Sequence, residues 1–398
     1  MEILILEPHA HGHHGPYLEW MATGLAERGF GITIATIPES MEHPSFRALA
    51  ESNEKMRIAP VSGSPNETSA RGGLDSIVRE FTYWRFFRKC YKHISADSRP
   101  DVVFVPYLDY CLYAIGLLGS PFVNCPWVGL AMRPSFHYQA TGVVAPKPAL
   151  ASIKKRLFFR LLRNRNLRHL LSIDESLIEY LDSYAKLQDK VVFFPEPAEF
   201  GDLPSRNDAK KHLGVSVERK LILVYGAITG RKGCVELLRA IASPGFPVSV
   251  DVVLAGRHAS EIHKLFGEPW VAALIDQGRV ICLDRFIERT EEPTLFAAAD
   301  IVWLGYRGHY TSSGVLVQAA NAGRPVLACE DGVLGWQTRR HNLGRTVNPR
   351  DTAGVISAVI ALLDEPTGGR ANDRGLSSWR SISFEEAQNV LSKIVGPE

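Results

Sequence analysis

The most constraining feature of the chain is an apolar segment that runs directly into a glycine-rich turn. Segment 221–233 begins with the apolar run Leu-Ile-Leu-Val-Tyr and ends in a loop that carries Arg231 and Lys232. The loop contains three glycines, Gly226, Gly230 and Gly233. A short apolar run bounded by glycines predicts a buried strand, and the amphipathic stretch that follows predicts a helix. Loop amides, a helix N-terminus and two cations together predict a binding site for a dianionic group such as a diphosphate, the alternative being an ordinary turn in which both cations are solvated.

Length and composition limit the classes of protein to consider. A chain of 398 residues exceeds the usual size of one hydrophobic core, so we expect two domains. A hydrophobic fraction of 45% with 22% charged residues is typical of a globular enzyme. The formal net charge of +2 gives no global attraction to nucleic acid, so we expect no nucleic-acid partner.

The cysteines and the N-terminus predict a cytoplasmic protein. The six cysteines are widely separated and none shows the spacing of zinc ligands. Several lie in apolar, strand-like runs, which favours reduced cysteines over a disulfide framework. No apolar run reaches transmembrane length, and Met1 leads directly into the apolar run 3–6.

Short apolar runs alternate with amphipathic stretches along both halves of the chain. This alternation predicts parallel, doubly wound sheets. In the first half we expect strands at 2–7, 31–37, 102–105, 122–125 and 169–173, among others. The second half repeats the pattern from 220 to 347.

The boundary between the halves is marked by prolines. Pro195, Pro197 and Pro204 lie among polar residues between the two alternating regions, as expected of a linker. We predict an N-terminal domain at 1–198, a C-terminal domain at 199–376 and a last helix at 377–398 that packs back on the first domain. The predicted fold class is α/β, with two Rossmann-like domains facing each other across a cleft.

Segment 220–363 resembles the family 4 glycosyltransferases of the GT-B fold. Gly226, Lys232 and Gly233 match the spacing of that family's strand, glycine and Lys-Gly pair, whereas the family arginine falls on Ala227. The likeness continues through four further motifs at 253–256, 280–286, 297–302 and 319–326. The order of these elements is more specific than any one of them.

The resemblance implies a hexosyl-type transfer from a nucleotide-diphosphate sugar to a hydroxyl of a glycan, a glycolipid or a small molecule. It implies retention of configuration, no cofactor and no obligatory metal. Arg231 and Lys232 would act catalytically by stabilising the diphosphate leaving group. Backbone near Phe286 would hold the base, and the loop beginning at Tyr310 would face the sugar.

The second loop, 310–318, departs from the family pattern. The family has two glutamates eight positions apart, and these positions fall on Tyr310 and Gln318. The Gln318 amide can serve ribose hydroxyls, but Tyr310 cannot supply a carboxylate beside the sugar. The residues that follow Tyr310 are Thr311, Ser312, Ser313 and Gly314. Their hydroxyls and helix N-terminal amides could bind the distal phosphate. The alternative is that they form an ordinary helix cap.

This departure keeps two other functions open. A non-catalytic subunit that binds a sugar nucleotide or a glycan would not need the missing glutamates. A nucleotide-sugar 2-epimerase would need a pair of acid/base carboxylates, which the sequence does not reveal.

The segment 9–15, His-Ala-His-Gly-His-His-Gly, follows the first predicted strand. Histidines at this spacing could bind a metal, but we find no carboxylate or cysteine partner nearby in sequence and predict no metal site. The alternatives are a solvated loop and an acceptor-side loop, which the resemblance places at Gly12, His13, His14 and Gly15.

His137 and Arg133, which follow the predicted strand at 122–125, are further candidates. The resemblance places a histidine in this region, near the sugar and the acceptor, and we assign that catalytic position to His137. Arg133 is a candidate on the acceptor side. The alternative for His137 is an ordinary surface histidine.

Segment 147–168 is strongly basic. It contains eight Lys and Arg residues and no Asp or Glu, and its apolar residues include Leu157, Phe158, Phe159, Leu161 and Leu162. Segment 81–92 has similar chemistry. Such a segment suits an anionic membrane surface or an anionic acceptor, so we predict peripheral association with the inner face of a membrane. The alternative is a helix with an apolar core face and a solvated basic face.

Overall fold

The computed structural model describes residues 1–10, 14–52, 54–63, 65, 73–184, 187, 189–364, 379 and 382–397. They form two compact units. Unit 1 comprises Met1–Thr141, Pro146–Pro195 and Phe384–Glu398. Unit 2 comprises Gly142–Ala145 and Glu196–Ser383.

Unit 1 contains a parallel sheet with helices between its strands. The strands are β1 (Glu2–Leu6), β2 (Gly31–Thr36), β3 (Met56–Pro60), β4 (Val102–Val105), β5 (Trp127–Ala131), β6 (Leu167–Ser172) and β7 (Val191–Phe193). Its helices are α1 (His14–Glu27), α2 (Pro44–Ser52), α3 (Gly73–Asp97), α4 (Leu112–Leu118), α5 (Ala151–Leu162), α6 (Glu175–Leu181) and α15 (Phe384–Val395). The strand order is β3-β2-β1-β4-β5-β6-β7, and β1 and β4 are buried almost throughout because helices cover both faces.

The strand predicted at 122–125 is wrong. Phe122 and Cys125 are buried, but they belong to a turn in which the Cys125 amide donates to the Phe122 carbonyl at 2.9 Å. Asn124 has a φ of 59°, a left-handed conformation that no strand accommodates. The strand itself, β5, begins only after Pro126.

The helix α15 packs on α1 within unit 1. Arg28, just after α1, donates to the Asn389 side chain at 2.7 Å, and the Gln388 amide donates to the Trp20 carbonyl at 3.0 Å. Gly24 faces Gln388 so closely that a Cβ at this position would overlap its side chain. The C-terminal helix α15 therefore packs directly against α1.

Unit 2 is built in the same way. Its strands are β8 (Lys220–Tyr225), β9 (Val250–Ala255), β10 (Val280–Leu283), β11 (Ile301–Leu304), β12 (Val326–Cys329) and β13 (Gly344–Val347). Its helices are α7 (Arg206–His212), α8 (Cys234–Ala242), α9 (Ser260–Phe266), α10 (Pro269–Asp276), α11 (Glu292–Ala298), α12 (Gly314–Asn321), α13 (Gly332–Arg340) and α14 (Thr352–Asp364). Among the helices that the structure describes in either unit, none is long and apolar enough to cross a bilayer.

Each sheet has one point at which the chain reverses the direction of strand addition. In unit 2 the order is β10-β9-β8-β11-β12-β13, so this point lies between β8 and β11. In unit 1 it lies between β1 and β4. The loops that leave the carboxyl ends of two such strands diverge to opposite faces, and open α/β sheets bind ligands in the space between them. The fold therefore directs attention to the loops after β8 and β11, and to those after β1 and β4.

Candidate functional site

The loop after β8 depends on glycine at two positions. Gly226 and Gly233 have φ angles of +94° and +69°, which only glycine adopts readily. A Cβ on Gly233 would lie 2.0 Å from the carbonyl oxygen of Gly305, which follows β11. The glycines thus allow the backbones of the β8 and β11 loops to touch.

Of the two cations in this loop, Lys232 is the more deeply buried. It is only 7% exposed, and its Nζ donates to the Tyr225 carbonyl and to the Tyr306 hydroxyl, both at 2.8 Å. The ammonium also lies over the Tyr306 ring, 4.5 Å from its centroid. An ammonium has three N–H groups, so these two hydrogen bonds fix its position and leave a donor for a ligand.

Arg231 connects the two predicted loops. Its Nη1 donates to His309 Nδ1 at 3.0 Å, and the ring proton on Nε2 is then directed to the Ser312 carbonyl, also at 3.0 Å. The Ser313 hydroxyl lies 3.4 Å from Tyr306, the partner of Lys232. Both cations are therefore linked to the loop that precedes α12. This agrees with the strand order, in which β8 and β11 are neighbours.

The start of the glycine loop already has an anionic partner. The Gly230 amide donates to Glu261 Oε1 at 3.2 Å, and hydrogen bonds from the backbone amides of Glu261 and Gly230 hold the pKa of the exposed Glu261 carboxyl below its ordinary value. A carboxylate thus occupies the position that a phosphate oxygen would take at this amide. Glu261 is not a residue that the sequence motif brings to notice.

A carboxylate that we did not predict lies beside Gln318. Glu292, at the start of α11, accepts a hydrogen bond from the Tyr225 hydroxyl at 2.6 Å and another from the Gln318 amide at 2.9 Å. Burial raises the pKa of Glu292, and these hydrogen bonds oppose that rise. Position 318, where the family 4 resemblance implies a glutamate, carries Gln318, and the Glu292 carboxylate from another helix lies beside its side chain.

The predicted base loop and Tyr310 have different surroundings. Phe286 is exposed and follows β10, which is separated from β8 by β9. Tyr310 is half-buried, and its carbonyl accepts from the Val333 amide at 3.0 Å. The backbone of α13 therefore holds the loop that carries Thr311, Ser312, Ser313 and Gly314.

In unit 1 the loop after β1 contains a carboxylate that the sequence analysis overlooked. Glu7 is fully buried, and its Oε1 lies 3.2 Å from His14 Nδ1 and accepts from the His9 amide at 3.1 Å. Burial raises the pKa of Glu7, while the hydrogen bond and charge of His14 oppose that rise. The statement that the histidines have no carboxylate nearby is therefore wrong, since Glu7 precedes His9 by two positions.

His14 is held by side chains from both loops at the β1/β4 position. Its Nε2 lies 3.0 Å from the hydroxyl of Tyr110, which follows β4, and the Tyr110 ring stacks on Tyr83 with centroids 4.3 Å apart. Gly15 is buried against Ser45, whereas Gly12 and His13 lie outside the described residues. His14 thus combines with Glu7 and Tyr110 in a partly exposed polar cluster.

His137 lies in the interior of unit 1. It is completely buried, and its Nε2 lies 3.1 Å from both Asp174 Oδ2 and Ser176 Oγ at the start of α6. This position favours a structural role over the catalytic one. Arg133 is exposed, and its amide donates to the half-buried Asp109 carboxylate at 2.8 Å. Among the residues that the structure describes, no group of three or more His, Cys, Asp or Glu could hold a metal ion.

Comparison with known proteins gives partial matches in sequence. No protein-family model matches the chain. A curated glycogen synthase, known from two strains of Mycobacterium tuberculosis, is 34% identical over 133 residues, which cover 30% of this chain and 32% of that protein. The match therefore spans about a third of the length of this relative.

Solved structures match over nearly the whole chain. Sucrose-phosphate synthase from Thermosynechococcus elongatus has a TM-score of 0.68 at 17% identity, covering 99% of this chain and 96% of that one. HepE from Anabaena, in complex with UDP, has a TM-score of 0.62 at 14% identity, with 99% and 96% covered. WaaG, a glycosyltransferase involved in lipopolysaccharide biosynthesis, has a TM-score of 0.63 at 14% identity, with 100% of both chains covered. The chain therefore has the GT-B glycosyltransferase fold.

Proposed function

We propose that the protein is a glycosyltransferase that uses a nucleotide-diphosphate sugar, with the nucleotide bound by unit 2. The observation that carries this proposal is Lys232, a nearly buried ammonium fixed where the loops after β8 and β11 meet. A cation that is fixed in this way attracts a diphosphate without first having to be ordered. UDP is the first nucleotide to test, because HepE has this fold and was solved with UDP and with UDP-glucose.

The two cations would act on the leaving group. As the bond between the sugar and the distal phosphate breaks, negative charge grows on the phosphate oxygens. Lys232 would donate to one of these oxygens, and Arg231 would turn from His309 to another. The family arginine is replaced by Ala227, so Arg231 would take over its contact.

Glu292 and Gln318 would bind the ribose of the donor. The Glu292 carboxylate accepts one hydrogen bond at each oxygen and has further lone pairs for two vicinal hydroxyls. Gln318 uses its amide N–H to orient this carboxylate, so its own oxygen remains an acceptor. Together the pair would replace the single glutamate of the family.

The finer properties follow from the family 4 resemblance. We propose hexosyl transfer with retention of configuration to a hydroxyl of a glycan, a glycolipid or a small molecule. The loop after β1, with His14 and Gly15, would contact the acceptor. The reaction would take place in the cytoplasm, at the surface of a membrane.

The proposal is tested by incubating the protein with UDP-glucose and related donors, with water or a polyol as acceptor, and measuring free UDP. Release of UDP together with a free or transferred sugar supports transfer, and NMR of the new anomeric centre decides between retention and inversion. Tight UDP binding without turnover would instead favour the non-catalytic subunit. A donor inverted at C2 would identify an epimerase.

A further inference from the structure

The basic part of unit 1 differs from what its sequence suggested. We expected the apolar residues of 147–168 to contact a membrane, but Phe158, Phe159, Leu161 and Leu162 are buried in the core of the unit. The exposed face of α5 is mainly basic and includes one large apolar residue, Ile153. If this region contacts a membrane, its other apolar contacts come from elsewhere.

Exposed apolar side chains lie on the neighbouring helix. Leu117 and Leu118, at the end of α4, are 46% and 47% exposed, and Ile153 on α5 is 49% exposed. Large aliphatic side chains exposed to this degree are unfavourable in water and mark contact surfaces when they occur together. The two helices pack closely, because a Cβ on Gly116 would lie 2.3 Å from the Leu157 carbonyl oxygen.

A third helix joins this surface. The Trp84 indole on α3 donates to the Gly119 carbonyl, directly after α4, at 2.9 Å. Arg88 lies over the Trp84 ring, 5.4 Å from its centroid. Beyond Gly119, Val123 is exposed, and the adjacent Asn124 accepts a hydrogen bond from Arg165 at 3.1 Å. These contacts place α3, the end of α4 with the turn after it, and the segment after α5 next to one another in unit 1.

The charge of this surface has one sign. Segments 81–96, 110–124 and 147–168 contain twelve Lys and Arg residues and no Asp or Glu, in a chain whose formal net charge is only +2. On α5 the exposed face carries Arg156 and Arg160 beside Ile153. The exposed leucines therefore lie on a helix whose neighbouring segments are basic, and these segments contain no carboxylate to balance the charge.

We propose that this surface of unit 1, formed by the end of α4, the exposed face of α5 and the Trp84–Arg88 part of α3, binds an anionic lipid bilayer. The leucines enter the boundary between headgroups and acyl chains, and the arginines pair with lipid phosphates above them. The half-buried Trp84 would lie at the boundary between the bilayer and water, a position that suits the apolar ring and polar N–H of an indole. This surface would account for the membrane location in the proposed function, but its binding requires neither donor nor catalysis, so it can be tested separately.

The experiment is co-sedimentation of the full chain with vesicles of phosphatidylcholine containing one part in four of phosphatidylglycerol, and with pure phosphatidylcholine vesicles. We expect binding to the anionic vesicles that weakens as salt rises from about 0.05 to 0.3 M, and little binding to the neutral ones. Charge reversal in Arg156→Glu/Arg160→Glu should weaken binding at least about tenfold. Leu117→Ser/Leu118→Ser should weaken it severalfold while leaving its salt dependence unchanged.

Matched variants in unit 2 serve as controls. Lys211→Glu/Lys264→Glu makes the same change of charge at exposed positions, and Val248→Ser removes an exposed apolar side chain. All variants are first compared by thermal unfolding, so that loss of binding is read only from folded protein. No binding of the wild type to anionic vesicles at low salt, or equal losses in the control variants, would overturn the proposal. Equal affinity for a DNA oligonucleotide would also overturn it, because the surface would then be a general polyanion site.

Discussion

Glu292 is a candidate site residue that comes from a different part of the chain than the sequence motifs. The Tyr225 hydroxyl and the Gln318 amide both donate to it, at 2.6 and 2.9 Å. These three residues are far apart in sequence and come from β8, α11 and α12. A motif based on spacing shows that position 318 is not a glutamate, but it does not reveal the carboxylate that lies beside Gln318.

We expect Glu292→Gln to weaken UDP binding about tenfold or more, because a hydrogen bond from a ribose hydroxyl to a carboxylate contributes about 1.5–3 kcal/mol. The informative comparison is with 2′-deoxy-UDP, measured by calorimetry. The wild type should prefer UDP, and the variant should lose most of this preference. A variant that binds both nucleotides more weakly by the same factor would assign Glu292 a purely structural role.

Glu80 provides a prediction about pH. Its carboxylate accepts from the Tyr113 and Ala114 amides at the start of α4, and burial raises its pKa to about 7. The folded state therefore binds a proton that the unfolded state has already lost, so this residue lowers the free energy of unfolding as pH rises through this range. Relative to Glu80→Gln, the wild type should lose about 3 kcal/mol between pH 4 and pH 8 in urea unfolding. A difference that stays constant or grows with pH would contradict this assignment.

At the residue scale, the sequence predicted what a local motif determines. Arg231, Lys232 and the flanking glycines lie within one loop, so the sequence of that loop is enough to predict an anion-binding site. The partners of Lys232 at Tyr306 and of Arg231 at His309 are 74 and 78 positions away. The surroundings of His137 are equally non-local, because Asp174 and Ser176 come from the start of α6.

At the element scale, the contact between the β8 and β11 loops depends on Gly233. Gly233→Ala would place a Cβ 2.0 Å from the Gly305 carbonyl oxygen at a φ of +69°. We expect the free energy of unfolding to fall by about 3 kcal/mol or more, from strain and overlap together. Gly245→Ala is the matched control, since Gly245 has a φ of +89° but no atom within 4 Å of the added Cβ.

The control should lose only about 1 kcal/mol, the cost of a positive φ for alanine. Equal losses in the two variants, measured by urea unfolding, would show that the close approach of the two loops contributes nothing.

Buried strands were the most predictable elements. The strand predicted at 102–105 begins and ends as β4 does, because a short apolar run between turn residues has few alternatives. The error at 122–125 has a physical cause: its apolar residues are buried, but in a turn, and burial alone does not distinguish a strand from a turn. The strand β3 at Met56–Pro60 was not predicted, since only one of its residues is buried.

At the scale of the whole molecule, alternation of strands and helices predicted the doubly wound α/β class, and the solved structures with the GT-B fold confirm it. The chain order alone does not give the order of strands within a sheet. That order places the β8 loop beside the β11 loop, and the β1 loop beside the β4 loop. The tyrosines around His14 could not be predicted, because they come from α3 and from the loop after β4.

The central claim is that Lys232 binds the diphosphate of a nucleotide. Calorimetric titration with UDP, of the wild type and of Lys232→Ala, tests it most directly, with Lys211→Ala as a control that removes an exposed lysine of the same unit. We expect Lys232→Ala to weaken UDP binding by about 2–3 kcal/mol, roughly 30- to 150-fold, and Lys211→Ala to leave it unchanged. A folded Lys232→Ala protein that binds UDP as tightly as the wild type would contradict the claim.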